Sequence, residues 1–130
     1  MGRTWRIGLV FGLAAAVGLP EADAAEKALA VVPGVPGVLG GAGSVDAACR
    51  ATPSNGQVRQ AARFGQINIV PGPWTANSGP CKGKSVTGVS AVYVAAPGTR
   101  GNVDRVTVDY SWTVGGEVRR GTITYVVHIR

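Results

Sequence analysis

Two cysteines, one histidine and seven carboxylates are the chemically versatile side chains of this 130-residue chain. Cys81 lies in the string Ser78-Gly79-Pro80-Cys81-Lys82. A thiol nucleophile needs a base or a positive site beside it to form thiolate, and Lys82 and Lys84 supply positive charge. The single histidine, His128, is 47 residues downstream. It falls at the outward phase of an alternating segment, where a surface role is the ordinary one. The other fate of Cys81 is a bridge to Cys49, because an even cysteine count in an oxidising compartment implies pairing. Closing that span would contribute roughly 3–4 kcal/mol. Metal chemistry lacks material. No His/Cys/carboxylate cluster has ligand spacing. Calcium takes several carboxylates, and from Ser44 onward there are only Asp46, Asp104, Asp109 and Glu117. Asp104 is expected to cap the loop after Gly101 by accepting backbone N–H groups. No GxSxG elbow, paired-carboxylate string or phosphate-binding glycine loop is present. The sequence therefore assigns no catalytic residue, no metal and no cofactor.

Charge is the other chemical signal. Thirteen Lys and Arg face seven Asp and Glu, a net charge of +6. The cations form no long run. Lys82-x-Lys84, Arg100, Arg105 and the pair Arg119-Arg120 fall in or near turns and strand ends. They read either as a solvated surface or as a cationic face for an anionic partner. Arg100, Arg105, Arg119 and Arg120 are the candidate contacts. Trp74, between Pro73 and Thr75, either stacks on a sugar or plugs the end of the fold.

Residues 1–24 read as a secretory signal peptide. Arg3 and Arg6 give a positive start, and Ile7 to Leu19 form a 13-residue apolar run. That run is too short for a bilayer, which takes about 20 helical residues. Ala22-Asp23-Ala24 places small residues before cleavage after Ala24 or Ala25. The exported part has no transmembrane segment and keeps eleven basic against five acidic residues, again +6. A periplasmic or secreted location follows. Export argues against nucleic acid and leaves an acidic envelope glycan, lipopolysaccharide or an acidic protein as candidate partners.

The positioning elements are strands. Val106, Val108, Tyr110, Trp112 and Val114 alternate with Thr107, Asp109, Ser111 and Thr113, which is period two with one apolar face. Gly115-Gly116 is a turn dipeptide. Val118 to Ile129 returns with Ile123, Tyr125, Val127 and Ile129 inward, so a β-hairpin is expected. Weaker strands are expected at 65–70, ending at Pro71-Gly72-Pro73, and at 86–94. Residues 57–64 permit a short helix or a strand, and strand is favoured. Residues 25–43, with a Pro-Gly-Val repeat, read as a flexible linker; alternatively Leu29 to Val32 adds an edge strand. The folded domain is then 44–130, all-β, a single antiparallel sandwich.

Tyr93, Pro97, Gly98, Gly101 and Asp104, followed by the alternating strand and the closing Gly-rich hairpin, resemble bacterial immunoglobulin-like and cadherin-like domains. The resemblance spans Gly65 to Arg130 and extends to small exported alphaproteobacterial proteins of unknown function with a mid-chain cysteine pair. It implies an Ig-like sandwich acting as a non-enzymatic binding or structural module at the envelope. The Cys81 string resembles the thiol site of peptidoglycan L,D-transpeptidases, but the His-Gly pair those enzymes place shortly before the cysteine is missing. A cell-wall thiol enzyme and a structural envelope protein without a defined ligand stand as the alternatives.

Overall fold

A computed structural model describes residues 24–130. The expected signal peptide thus lies outside the described residues except for Ala24. Seven strands follow in order: β1 Ala24–Val31, β2 Gly37–Ala42, β3 Ser54–Gln60, β4 Gly65–Thr75, β5 Ser85–Ala95, β6 Val103–Val114 and β7 Glu117–Ile129. Among the described residues there is no helix.

The alternation in β6 and β7 sets the fold. They pair antiparallel from Val103↔His128 to Val114↔Glu117. Gly115 and Gly116 make the two-residue turn with φ of 58° and 80°. Both angles are in the left-handed region, the conformation that matches the twist of paired strands and that a side chain resists. β3 adds antiparallel to β6, and β1 adds parallel to β7, so the sandwich expected to be antiparallel throughout carries one parallel pair at its edge. The four-stranded sheet is therefore β1-β7-β6-β3, and the second sheet is β2-β5-β4. The chain crosses between sheets from β1 to β2, β2 to β3, β3 to β4 and β5 to β6, while β4–β5 and β6–β7 are hairpins. The result is a two-sheet β-sandwich.

The inward residues pack as the period-two pattern requires. Val106, Val108, Tyr110, Tyr125, Val127 and Ile129 meet Leu39, Ala91, Tyr93 and Ala95 in one core. Three tyrosines fill much of this space, and small residues opposite make room for them. A methyl group on Gly40 would collide with the Tyr125 hydroxyl. Tyr110 and Tyr125 hydroxyls hydrogen-bond each other at 2.7 Å, so neither is buried without a partner, which would cost about 1–3 kcal/mol. Burial pushes both phenols above their ordinary value. Trp112, inward by phase, packs only against the edge of this core, and Val114 is exposed.

Three expectations need correction. Residues 25–43 are not a linker: they supply β1 and β2, and the folded unit begins at Ala24 rather than Ser44. Pro33 and Pro36 lie in the connection between the two strands, where they remove no ladder hydrogen bond. Leu29 and Val31 face the core, and Leu39 is fully buried at a bulge in β2. The third strand is Ser54–Gln60 instead of 57–64, so the favoured strand reading holds only for its first half. β4 continues through Pro71 and Pro73 to Thr75. It is an edge strand, and on an edge a proline, which lacks an amide hydrogen, is tolerated without loss of a ladder bond when its nitrogen faces away from the sheet.

Candidate functional site

The four candidate arginines do not form one patch. Arg105 and Arg120 both sit on β strands of the four-stranded sheet with outward phase, opposite Val126 and Ser111 respectively. Arg105 and Arg120 are therefore six residues apart along β7, about 20 Å. Arg119 lies opposite Trp112 at the inward phase, so it and Arg120 leave opposite faces of their strand. Arg100 is in the loop between β5 and β6, at the far end from the Gly115-Gly116 turn.

Their charges also differ. Arg105 pairs with Glu26 at 2.6 Å and Arg119 with Glu117 at 3.5 Å. Arg59 pairs with Asp109 at 2.9 Å and Arg50 with Asp46 at 3.4 Å. Asp104 is satisfied by hydrogen bonds described below. Every carboxylate side chain among the described residues is thereby engaged within the protein. Arg100 and Arg120 have no ion pair among the described residues.

Arg120 borders a groove on the outer face of the four-stranded sheet. Alternation delivers its lining in two cross-strand rows. Asn55, Ser111 and Arg120 form one, and Gln57, Asp109 and Thr122 the other. Arg59 reaches over from β3. The groove encloses about 450 Å³. Asp109 holds it together: Oδ1 accepts from Thr122 Oγ1 at 2.6 Å, and Oδ2 accepts from Arg59 Nε at 2.9 Å. The Thr122 hydroxyl and then the Arg59 guanidinium outweigh partial burial and hold the Asp109 carboxyl below its ordinary value. Asn55, Gln57, Arg59, Asp109, Ser111 and Thr122 were not among the sequence candidates. The signal that finds Asp109, Ser111 and Thr122 is the outward half of the alternation that located the core; Asn55, Gln57 and Arg59 lie on β3, whose sequence carries no such alternation.

Cys49 and Cys81 are bonded, with sulfurs 2.08 Å apart, and no free cysteine exists. Nucleophilic use of Cys81 would first require reduction of that bond. The bridge ties the turn at 46–50 to the β4–β5 connection. Asp46 Oδ1 accepts from the backbone of Ala48 and Arg50 at 2.9 and 3.0 Å, which organises this turn as an Asx motif. Cys49 itself has φ of 63°. Trp74 lies across Gly43, where a methyl group would come within 2.6 Å of its ring. It is half-buried and, with Trp112, lines an apolar cleft of about 390 Å³ between the sheets. The indole is thus partly plug and partly open wall.

Asp104 does not cap the Gly101 loop. It is 2 % exposed and accepts from the backbone N–H of Arg63 and Phe64 at 3.0 and 2.9 Å, from that of Arg105 at 2.9 Å, and from the Tyr93 hydroxyl. The carboxylate points inward near the start of β6, so two of its donors come from the β3–β4 crossover and one from β5 in the opposite sheet. Burial pushes this carboxyl up, and the four donors together outweigh it, leaving it below its ordinary value. His128 faces outward between Ala30 and Val103, as its phase requires. Among the described residues no group of His, Cys, Asp and Glu could hold a metal ion, and no helix is long and apolar enough to cross a membrane.

No family model, curated protein or solved structure matches this chain. What it does must be read from its own surface.

Proposed function

We propose that this chain is an exported, non-enzymatic immunoglobulin-like module that binds an anionic partner at the bacterial envelope. The seven-strand order, with two hairpins and repeated crossing between sheets, supports the Ig-like reading. A disulfide is compatible with export, since such bonds persist in oxidising compartments. The observation that carries the binding reading is the distribution of charge. The five carboxylate side chains among the described residues are all engaged internally, while Arg63, Lys82, Lys84, Arg100, Arg120 and Arg130 keep charges with no carboxylate partner there. A surface of unneutralised cations raises the local concentration of polyanions. Lipopolysaccharide phosphates, acidic glycans and acidic proteins are the envelope partners of that kind.

The test is binding of the exported form to lipopolysaccharide and to an acidic polysaccharide at low and at physiological salt. Exposed charges are screened over about 8 Å at physiological ionic strength, so binding should weaken as salt rises. It should weaken further in the Arg119→Glu/Arg120→Glu double variant. Absence of binding at low salt, or indifference to both changes, leaves a structural module whose cations serve solubility.

A further inference from the structure

The groove over β3, β6 and β7 has a chemistry distinct from the rest of the cationic surface. Most of the free cations stand alone on loops or strand ends. At the groove, two guanidinium groups flank a floor in which neutral donors and acceptors, the Asn55 and Gln57 amides and the Ser111 and Thr122 hydroxyls, surround the Asp109 carboxylate. One guanidinium, Arg59, is held in place by Asp109. The other, Arg120, has no partner among the described residues. The volume of about 450 Å³ falls within the roughly 300–1,000 Å³ typical of small-molecule sites.

We infer that this groove binds a carboxylated sugar residue of an acidic glycan. The inference rests on the anionic-partner reading above and names the ligand class and the place. Arg120 supplies the fork that pairs with a planar carboxylate. The amides and hydroxyls exchange hydrogen bonds with ring hydroxyls. Asp109 decides between ligand classes. It is an ionised carboxylate in the floor, so it accepts from a sugar hydroxyl and repels a second negative charge. A phosphate unit presents anionic oxygens on every side and no hydroxyl donor, so it would set negative charge beside Asp109. A uronic acid unit carries its carboxylate at one edge of the ring and hydroxyl donors at the other, so it satisfies Arg120 and Asp109 together. A strand-built floor also fixes these side chains on a rigid sheet, so little loop ordering opposes binding.

The experiment titrates the folded protein with trigalacturonic acid, with its carboxyl-reduced galactose counterpart and with tripolyphosphate, at low salt. Trigalacturonic acid should bind, the reduced trimer should bind at least roughly tenfold more weakly, and tripolyphosphate should not outcompete the acid sugar. The Gln57→Ala/Ser111→Ala variant keeps every charge and changes two groove contacts. It should weaken the acid sugar by about tenfold, two lost hydrogen bonds being of that order, with an unchanged melting temperature. The Gln66→Ala/Asn68→Ala variant, on the outer face of the other sheet, should bind as the parent does. Two results overturn the groove while leaving the cationic reading intact. They are preferential binding of tripolyphosphate, and indifference to Gln57→Ala/Ser111→Ala while Arg120→Glu still weakens binding. Equal binding of the uncharged reduced trimer, or failure of all anions at low salt, removes both.

Discussion

The Tyr93 hydroxyl donates to Asp104 Oδ2 at 2.7 Å, a bond between side chains of opposite sheets. The same carboxylate takes the N–H groups of Arg63 and Phe64 from the β3–β4 crossover. One buried anion therefore joins both sheets and one connection. Removing it orphans the buried Tyr93 hydroxyl and several part-buried backbone N–H groups. Asp104→Ala is expected to cost about 3–5 kcal/mol in urea unfolding, and a cost under about 1 kcal/mol would show the clasp to be incidental.

That carboxyl also gives a pH dependence of known sign. Its folded value is lowered, so the folded state holds fewer protons than the unfolded state as pH falls. The stabilisation is fully present above the unfolded value of about 3.9 and is lost as pH drops through the lowered folded value. Asp109 and Asp46 are shifted the same way and, being partly exposed, add less. Thermal melts from pH 6 to pH 2 should decline in the parent and decline less steeply in Asp104→Asn. Equal slopes would assign the acid limb to other groups.

Tyr110 and Tyr125 offer a cycle. Either single change to Phe leaves one buried hydroxyl without its partner and should cost about 1–2 kcal/mol. The double change removes both polar groups and should cost less than the sum of the singles. Strict additivity would mean the hydroxyls do not depend on each other.

Gly40 is a packing constraint on the same pair. A Gly40→Ala chain must displace the Tyr125 ring, and overpacking of this kind costs about 1–3 kcal/mol. Combining it with Tyr125→Phe, which removes the colliding oxygen, should recover part of that loss in denaturant unfolding. No recovery would locate the strain elsewhere.

Cys49–Cys81 closes a span of 32 residues. Unreduced protein should weigh two hydrogens less than the reduced chain, and a Cys49→Ser/Cys81→Ser variant should lose roughly 3–4 kcal/mol. Stoichiometric labelling of Cys81 in native, unreduced protein would contradict the bridge.

The sequence was most legible where a pattern repeats. The β6–β7 hairpin is visible because nine residues alternate without interruption and end at two glycines. β2 was hidden because GVLGGA has no alternation: its bulge puts Leu39 inward, and its glycines serve close contacts with Tyr125 and with β5. β1 was legible only at its end, where Leu29 to Val31 form the edge strand offered as the alternative to a linker; the rest of it is mostly small or charged residues. What places it is the unpaired edge of β7, nearly a hundred residues away. The same division holds for the groove. The outward phase of Asp109, Ser111, Arg120 and Thr122 follows from counting by two, whereas the meeting of Asp109 with Arg59 depends on a strand from the other side of a crossover. The pairing of Arg105 with Glu26 likewise depends on β1.

The parallel pairing of β1 with β7 has a mechanical consequence. Ala24 lies beside Thr122 and Val31 beside Ile129, with Arg130 donating its N–H to the Val31 carbonyl. Tension applied at Ala24 and Arg130 pulls the two strands past each other along their own length. All eight register positions then bear the load together, in shear. Tension applied at Val31 and Arg130 meets the pairs one at a time, as a peel. Single-molecule pulling should therefore find a higher rupture force in the first geometry than in the second, and equal forces would show that the β1–β7 seam does not carry the load.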